Sequence, residues 1–231
     1  MKSAERSSGN NDDYDHTLYE SRSAWEVANH IRPNDREAFV MAAAGDKLAD
    51  SAADQVFRQA EVYAQENDVP CYDALLKTVA ESDDEEAAYS ALESFQEMSA
   101  VDEMRQVEDP SLREATGLAK FSELNHQANQ ELNDDQNNEA ALSMLDEAIE
   151  NYVVEYQAAQ NEGRDFMSIG DYMQREFDRL TRKAQLLEKQ GKLPSETDSA
   201  TWRGMRVGLA ALTSLNDGYE DSKKALENRS Y

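Results

Sequence analysis

Leu142, Leu145, Ala148, Ile149, Tyr152, Tyr156 and Ala159 recur mostly at steps of three and four residues. On a helix of about 3.6 residues per turn they share one stripe. The same period returns along most of the chain, and no segment carries the strict alternation of a half-buried strand. With only four Pro and nine Gly in 231 residues, little interrupts it. The sequence therefore predicts an all-α protein of about 7–9 helices joined by short loops, packed as antiparallel hairpins into a helical bundle or a short superhelix.

From Asn34 to about Glu66, Phe39, Met41, Leu48, Val56, Phe57, Ala60 and Tyr63 mark one apolar face. "DVP" at 68–70 breaks it, and Cys71 to Ala80 forms a short helix. Ser82 with Glu85 three residues later is a capping-box pattern that starts a helix running to about Val107 through Tyr89, Leu92, Phe95 and Met104. Asp109-Pro110 starts another. "NDDQNN" at 133–138 and "NEGRD" at 161–165 bound the stripe described first. Ser168 to Lys189 follows, with Tyr172, Met173, Phe177, Leu180, Ala184 and Leu187 inward. The last helix begins near Ser199 and carries Trp202, Leu209, Leu212 and Leu215, and "NDG" at 216–218 is expected to turn the chain into a separate terminal stretch.

"NEAALSMLDEAIENY", residues 138–152, resembles the second helix of a tetratricopeptide repeat in its spacing of small residues and an aromatic. No second copy lies 34 residues away, which argues against a repeat array.

Charge divides the chain more sharply than hydropathy does. Overall, 48 Asp and Glu face 23 Lys and Arg, a net of −25. Residues 61–163 hold 26 acidic and 4 basic groups, whereas residues 164–231 hold 11 and 12. The expected organisation is a polar arm at 1–16, an acidic helical body at 17–163 and a charge-balanced C-terminal helical module at 164–231. Such a net charge disfavours nucleic acid and anionic lipid as direct partners unless positive charge is locally concentrated. No apolar run of about 18 residues is present to span a bilayer. The first residues lack the apolar core of a secretory signal and carry four acidic groups before residue 20. A cytoplasmic protein is the expectation, or a virion protein if the source is viral.

Catalytic and metal-binding signatures are weak. Glu123 and His126 make a Glu-x-x-His pair, half of a di-metal motif, but the second half is missing and the chain has only His16, His30 and His126. "NDDQNNE" lacks the alternating ligands and central Gly of a calcium loop. Cys71 is the single cysteine, which excludes an internal disulfide, and no motif supplies it with a base. Neither GxxxxGK nor GxGxxG occurs. "GMRVG", with Gly204 and Gly208 four apart, permits a close helix crossing. "NRS" at 228–230 matches a glycosylation triplet without a secretory context. No catalytic, cofactor-binding or metal-ligating residue is assigned.

The acidic middle is read first as a solvated surface, salt adaptation being consistent with 14 Arg against 9 Lys. Docking onto a basic partner and mimicry of nucleic acid, which would block a DNA-binding protein, are the alternatives. The helix from Ser168 is more informative. Arg175, Arg179, Arg182 and Lys183 fall within about 100° of one another, opposite its apolar stripe. Asp171–Arg175 and Asp178–Arg182 are spaced for pairing at i,i+4, which leaves Arg179 and Lys183 outward with Lys189, Lys192, Arg203 and Arg206 near in sequence. The candidate partner-binding residues are thus Arg175, Arg179, Arg182, Lys183, Lys189, Arg203 and Arg206.

An acidic helical body followed by a basic helical end resembles, in charge layout, the scaffolding proteins of tailed viruses, whose terminal helices dock on an acidic patch of the coat protein. The resemblance implies a non-enzymatic structural or interaction protein, a subunit of an assembly whose partners are proteins or further copies of itself. An acidic regulator that mimics nucleic acid, and an enzyme of unrecognised family using Cys71 or His126, are the other classes.

Overall fold

The structure is a computed structural model and describes residues 38–39, 41–44, 51–132, 136–192 and 196–227. The expected N-terminal arm, His16, His30 and the triplet at 228–230 lie outside the described residues. Described residues form helix at 38–39 and 41–44, then α1 (Ser51–Asn67), α2 (Cys71–Ala80), α3 (Glu85–Arg105), α4 (Pro110–Leu132), α5 (Gln136–Asn161), α6 (Ile169–Lys189) and α7 (Glu196–Glu227). There is no strand among the described residues, and the all-α expectation holds. None of these helices is long and apolar enough to cross a membrane.

Local chemistry sets most boundaries. Asp68 takes a left-handed φ of 55° after α1, a conformation that a short polar side chain tolerates. α3 starts two residues later than a Ser82 cap would require. Asp84 caps it, its Oδ1 accepting from the Ala87 N–H at 3.1 Å, while Ser82 Oγ accepts from the Asp84 N–H at 3.2 Å. The capping box is thus replaced by a polar turn followed by an Asp cap, because only residue 84 precedes the first helical residue. Asp109 caps α4, accepting from Ser111 N–H at 2.9 Å, with Pro110 in the first position. Gly163 and Gly191, at φ 66° and 68°, end α5 and α6. Beyond them Arg164 N–H reaches Ala159 O and Lys192 N–H reaches Leu187 O, both at 2.9 Å.

Packing separates the chain into two compact units, Met1–Phe95 and Gln96–Tyr231. The division falls inside α3, whereas the charge boundary at 163/164 falls in the turn between α5 and α6. In the first unit Phe39 meets Phe57 edge-on at 5.5 Å and Tyr72 stacks on Phe95 at 5.1 Å, and Leu75, Ala60 and Cys71 are fully buried. In the second, α5 packs against α4, α6 and α7, so that Leu118, Leu142, Leu145, Tyr152, Ile169, Met173 and Leu215 close one apolar core. Burying each such side chain contributes about 1.5–3 kcal/mol.

Two expectations are corrected. α7 runs unbroken through Asn216-Asp217-Gly218. Leu215 is fully buried and Tyr219 packs on the core from the next turn, and that burial outweighs the roughly 1 kcal/mol a mid-helix Gly costs. Tyr89, expected inward, is 46% exposed. Ala87, Ala88, Ala91, Leu92 and Phe95 fill the buried face of α3, and Tyr89 lies at the edge of the opposite one.

Candidate functional site

The side chains on the outer face of α6 border an open groove of about 720 Å³. α6 itself is well specified. Ser168 Oγ accepts from the Asp171 N–H at 3.1 Å to cap it, and Ile169, Tyr172, Met173 and Leu180 bury its inner stripe. Phe177 stacks on Trp202 of α7 at 5.9 Å, and Trp202 Nε1 donates to Thr181 Oγ1 at 3.2 Å. Past Leu180 nothing on α6 is fully buried, so Ala184 and Leu187, expected in the core, are only half-buried.

Four of the seven candidate residues line the groove: Arg175, Arg179, Arg182 and Lys183. Lys189, on the last turn of α6, and Arg203 and Arg206, on α7, do not. Arg206 instead lies over the Trp202 ring at 4.9 Å.

The expected ion pairs are redistributed. Asp171 accepts the Ser168 hydroxyl at 3.0 Å, and Asp178 accepts from Gln174 Nε2 at 2.9 Å. Glu176 takes the arginines: Arg179 Nε donates to it at 2.7 Å and Arg175 approaches at 3.5 Å while stacking over Tyr172 at 4.6 Å. Arg179, expected outward and unengaged, is therefore engaged, because i,i+3 contact with the half-buried Glu176 holds it. Arg182 is exposed and makes no hydrogen bond or ion pair among the described residues. The groove also holds Leu186, 58% exposed, which the apolar stripe does not predict. A doublet alone gives no warning of it, since the adjacent Tyr172 and Met173 on the same helix are both buried.

The reactive candidates are placed elsewhere. Cys71 is buried in the first unit. His126 Nε2 sits 2.9 Å from Asp146 Oδ2, linking α4 to α5, while Glu123 accepts from Lys120 at 3.1 Å. The Glu-x-x-His pair is thus divided between two different partners. No group of three metal-ligating side chains is found among the described residues.

A second polar cluster surrounds the aromatic heart of the second unit. Tyr152 and Phe166 each contact Tyr156 and Tyr172 as well as each other, with ring centroids 5.4–6.5 Å apart. The three tyrosine hydroxyls donate outward, Tyr152 to Met167 O at 3.1 Å, Tyr156 to Asp109 at 2.5 Å and Tyr172 to Glu155 at 3.2 Å. Glu114 is drawn into the same region. Burial, and secondarily the negative Asp171, raises its pKa above the ordinary 4.5. A carboxyl whose folded pKa is raised costs stability once ionised. Glu114→Gln is therefore expected to raise the unfolding midpoint in denaturant at pH 7. The advantage should vanish below the ordinary value, where both side chains are neutral. An unchanged midpoint at pH 7 would show that water reaches the carboxylate.

Comparison of the chain with protein-family models, with curated proteins and with solved structures returns no match.

Proposed function

We propose that this chain is a non-enzymatic interaction protein, a subunit of a larger assembly, that docks an acidic protein surface on the basic outer face of α6. A structural or scaffold-like component of a virion is one instance of such a subunit. The observation that carries the reading is the groove itself. In a chain of net −25, Arg175, Arg179, Arg182 and Lys183 line it together with Asp171, Glu176 and Asp178, so four cationic side chains outnumber three carboxylates around an exposed leucine. Leu186 gives that face an apolar centre, and an apolar contact inside a polar, charged rim is a composition that protein docking surfaces use. The burial of Cys71 and the separate engagement of Glu123 and His126 support the non-enzymatic part.

Fluorescence anisotropy with a labelled Glu-rich helical peptide carrying one tyrosine tests it. Binding is expected, weakening as salt rises from about 0.1 M to about 1 M, where the screening length falls from about 10 Å to about 3 Å. The double variant Arg182→Glu/Lys183→Glu should lose it at least about tenfold, since like charges across an interface cost several kcal/mol. Equal binding of a Gln-for-Glu peptide, or undiminished binding by the double variant, would sink the reading.

A further inference from the structure

We propose that the occupant of the α6 groove is the acidic outer face of α3 from a second copy of the same chain, laid antiparallel with Tyr89 seated on Leu186. The proposal rests on the reading above that α6 docks an acidic protein surface.

Charge and spacing carry it. On α3, Glu86, Tyr89 and Glu93 are all exposed and follow one another at three and four residues, a single outward stripe. Tyr89 is an anchor with acidic neighbours on both sides, 46% exposed within one chain. On α6, Arg182 and Leu186 in the groove and Lys189, on the last turn beyond it, are exposed at steps of four and three. In both stripes the end charges are seven residues apart, about 10.5 Å at 1.5 Å per residue.

Direction follows from the order of these steps. With Tyr89 over Leu186 and the helices antiparallel, Glu93, four residues on, lies opposite Arg182, four residues back. Glu86, three residues back, lies opposite Lys189, three residues on. Run parallel, the same anchor would bring Glu86 to Lys183 but Glu93 to the neutral Gln190. The antiparallel register satisfies both pairs and the parallel one satisfies a single pair.

A face on α3 that fits a groove on α6 is a heterologous contact, which leaves one groove and one face open at the ends of every oligomer. Growth is head to tail unless the rotation closes a ring. One helix laid along another is small by interface standards, so each contact should be weak, with dissociation constants of about micromolar to millimolar. Salt should act in two directions. Copies of net −25 repel one another over a screening length of about 30 Å at 0.01 M salt, but only about 8 Å at 0.15 M. Paired charges in contact survive the second condition and fade near 1 M. Association is therefore expected to peak at intermediate salt, whereas a purely apolar contact would strengthen throughout.

Sedimentation velocity of the full chain at about 10 μM to 1 mM, a range set by the expected affinity, in about 0.15 M salt tests the register. Mass should rise with concentration. Arg182→Glu/Lys189→Glu and Glu86→Lys/Glu93→Lys should each weaken association about tenfold or more, and a chain carrying all four changes should regain it, because the charges are then exchanged across the same contact. That recovery also shows that the variants fold. If the α3 variant associates like the parent while the α6 variant does not, the groove takes another surface and this proposal falls, while the docking reading stands. A parent that stays monomeric, or changes shape without changing mass, overturns the proposal but not peptide binding. Loss of peptide binding overturns both.

Discussion

Gly204→Ala is expected to destabilise the protein by about 1–3 kcal/mol, the usual cost of forcing volume into a packed site, even though alanine is the better helix former. A Cβ at residue 204 would overlap the carbonyl oxygen of Ala141 and stand 2.9 Å from Met144 Cβ. The obstacle is the backbone of α5, which cannot rotate aside as a side-chain end does. α5 and α7 would have to part along their crossing, loosening Leu145, Leu212 and Leu215 together. The propensity gain of about 1 kcal/mol is too small to offset that. Gly208→Ala should cost less, because its Cβ would meet only Leu145 Cδ1 and Met173 Cε, both at 2.5 Å and both at the ends of side chains. Gly218 supplies the internal control on the same helix. Its nearest neighbours would be Val101 Cγ2 at 3.4 Å and Met98 Cε at 3.9 Å, ordinary contacts. Gly218→Ala should therefore stabilise by about 0.4–1 kcal/mol. Thermal unfolding would separate the two by several degrees in opposite directions, and a Gly204→Ala protein as stable as its parent would disprove the close crossing.

Tyr152→Ala is expected to cost more, about 3–5 kcal/mol by analogy with buried aromatic deletions. The ring is fully buried and touches Tyr156, Phe166 and Tyr172, so its loss removes the contact shared by α5, the turn at 162–168 and α6. Tyr152→Phe keeps those rings and removes only the bond to Met167 O, which should cost about 1 kcal/mol. The two variants together separate packing from hydrogen bonding. Alkaline titration gives an independent check. Burial first, then the negative Glu114, push the Tyr152 hydroxyl from 10.0 up to about 12. A folded pKa above the unfolded one means that the folded state holds the proton more firmly. The stability it contributes is complete below pH 10 and is lost as pH rises through the interval to about 12. Tyr152→Phe should flatten that part of the alkaline decline in denaturant midpoints. A decline of unchanged steepness would place the responsible group elsewhere.

The inward face of α5 was legible residue by residue, because its positions repeat at the helical period and its end is written by Gly163, although the helix begins at Gln136, inside the expected break at 133–138. α4 was equally plain from Asp109-Pro110. Ser82 misdirects by two residues because several polar side chains before a helix can each serve as its cap, and only the backbone path selects Asp84. "NDG" suggests a turn where α7 continues, since a local preference of about 1 kcal/mol yields to the packing of Leu215 and Tyr219. The basic stripe of α6 was visible from sequence, but its internal pairing was not. Glu176 is the one carboxylate three or four residues from Arg179, and its partial burial, which spacing does not reveal, holds the pair in place.

The sequence by itself determined the helical class, most helix ends and the contrast between an acidic middle and a balanced C-terminal portion. Those properties depend on residues within four positions of one another or on simple summation. Tertiary structure alone decided that α3 is divided between two units, that Gly204 lies against the α5 backbone, and that Leu186 and Tyr89 are exposed. Each of these depends on which distant helix occupies a given side, and residue spacing within one helix carries no information about that.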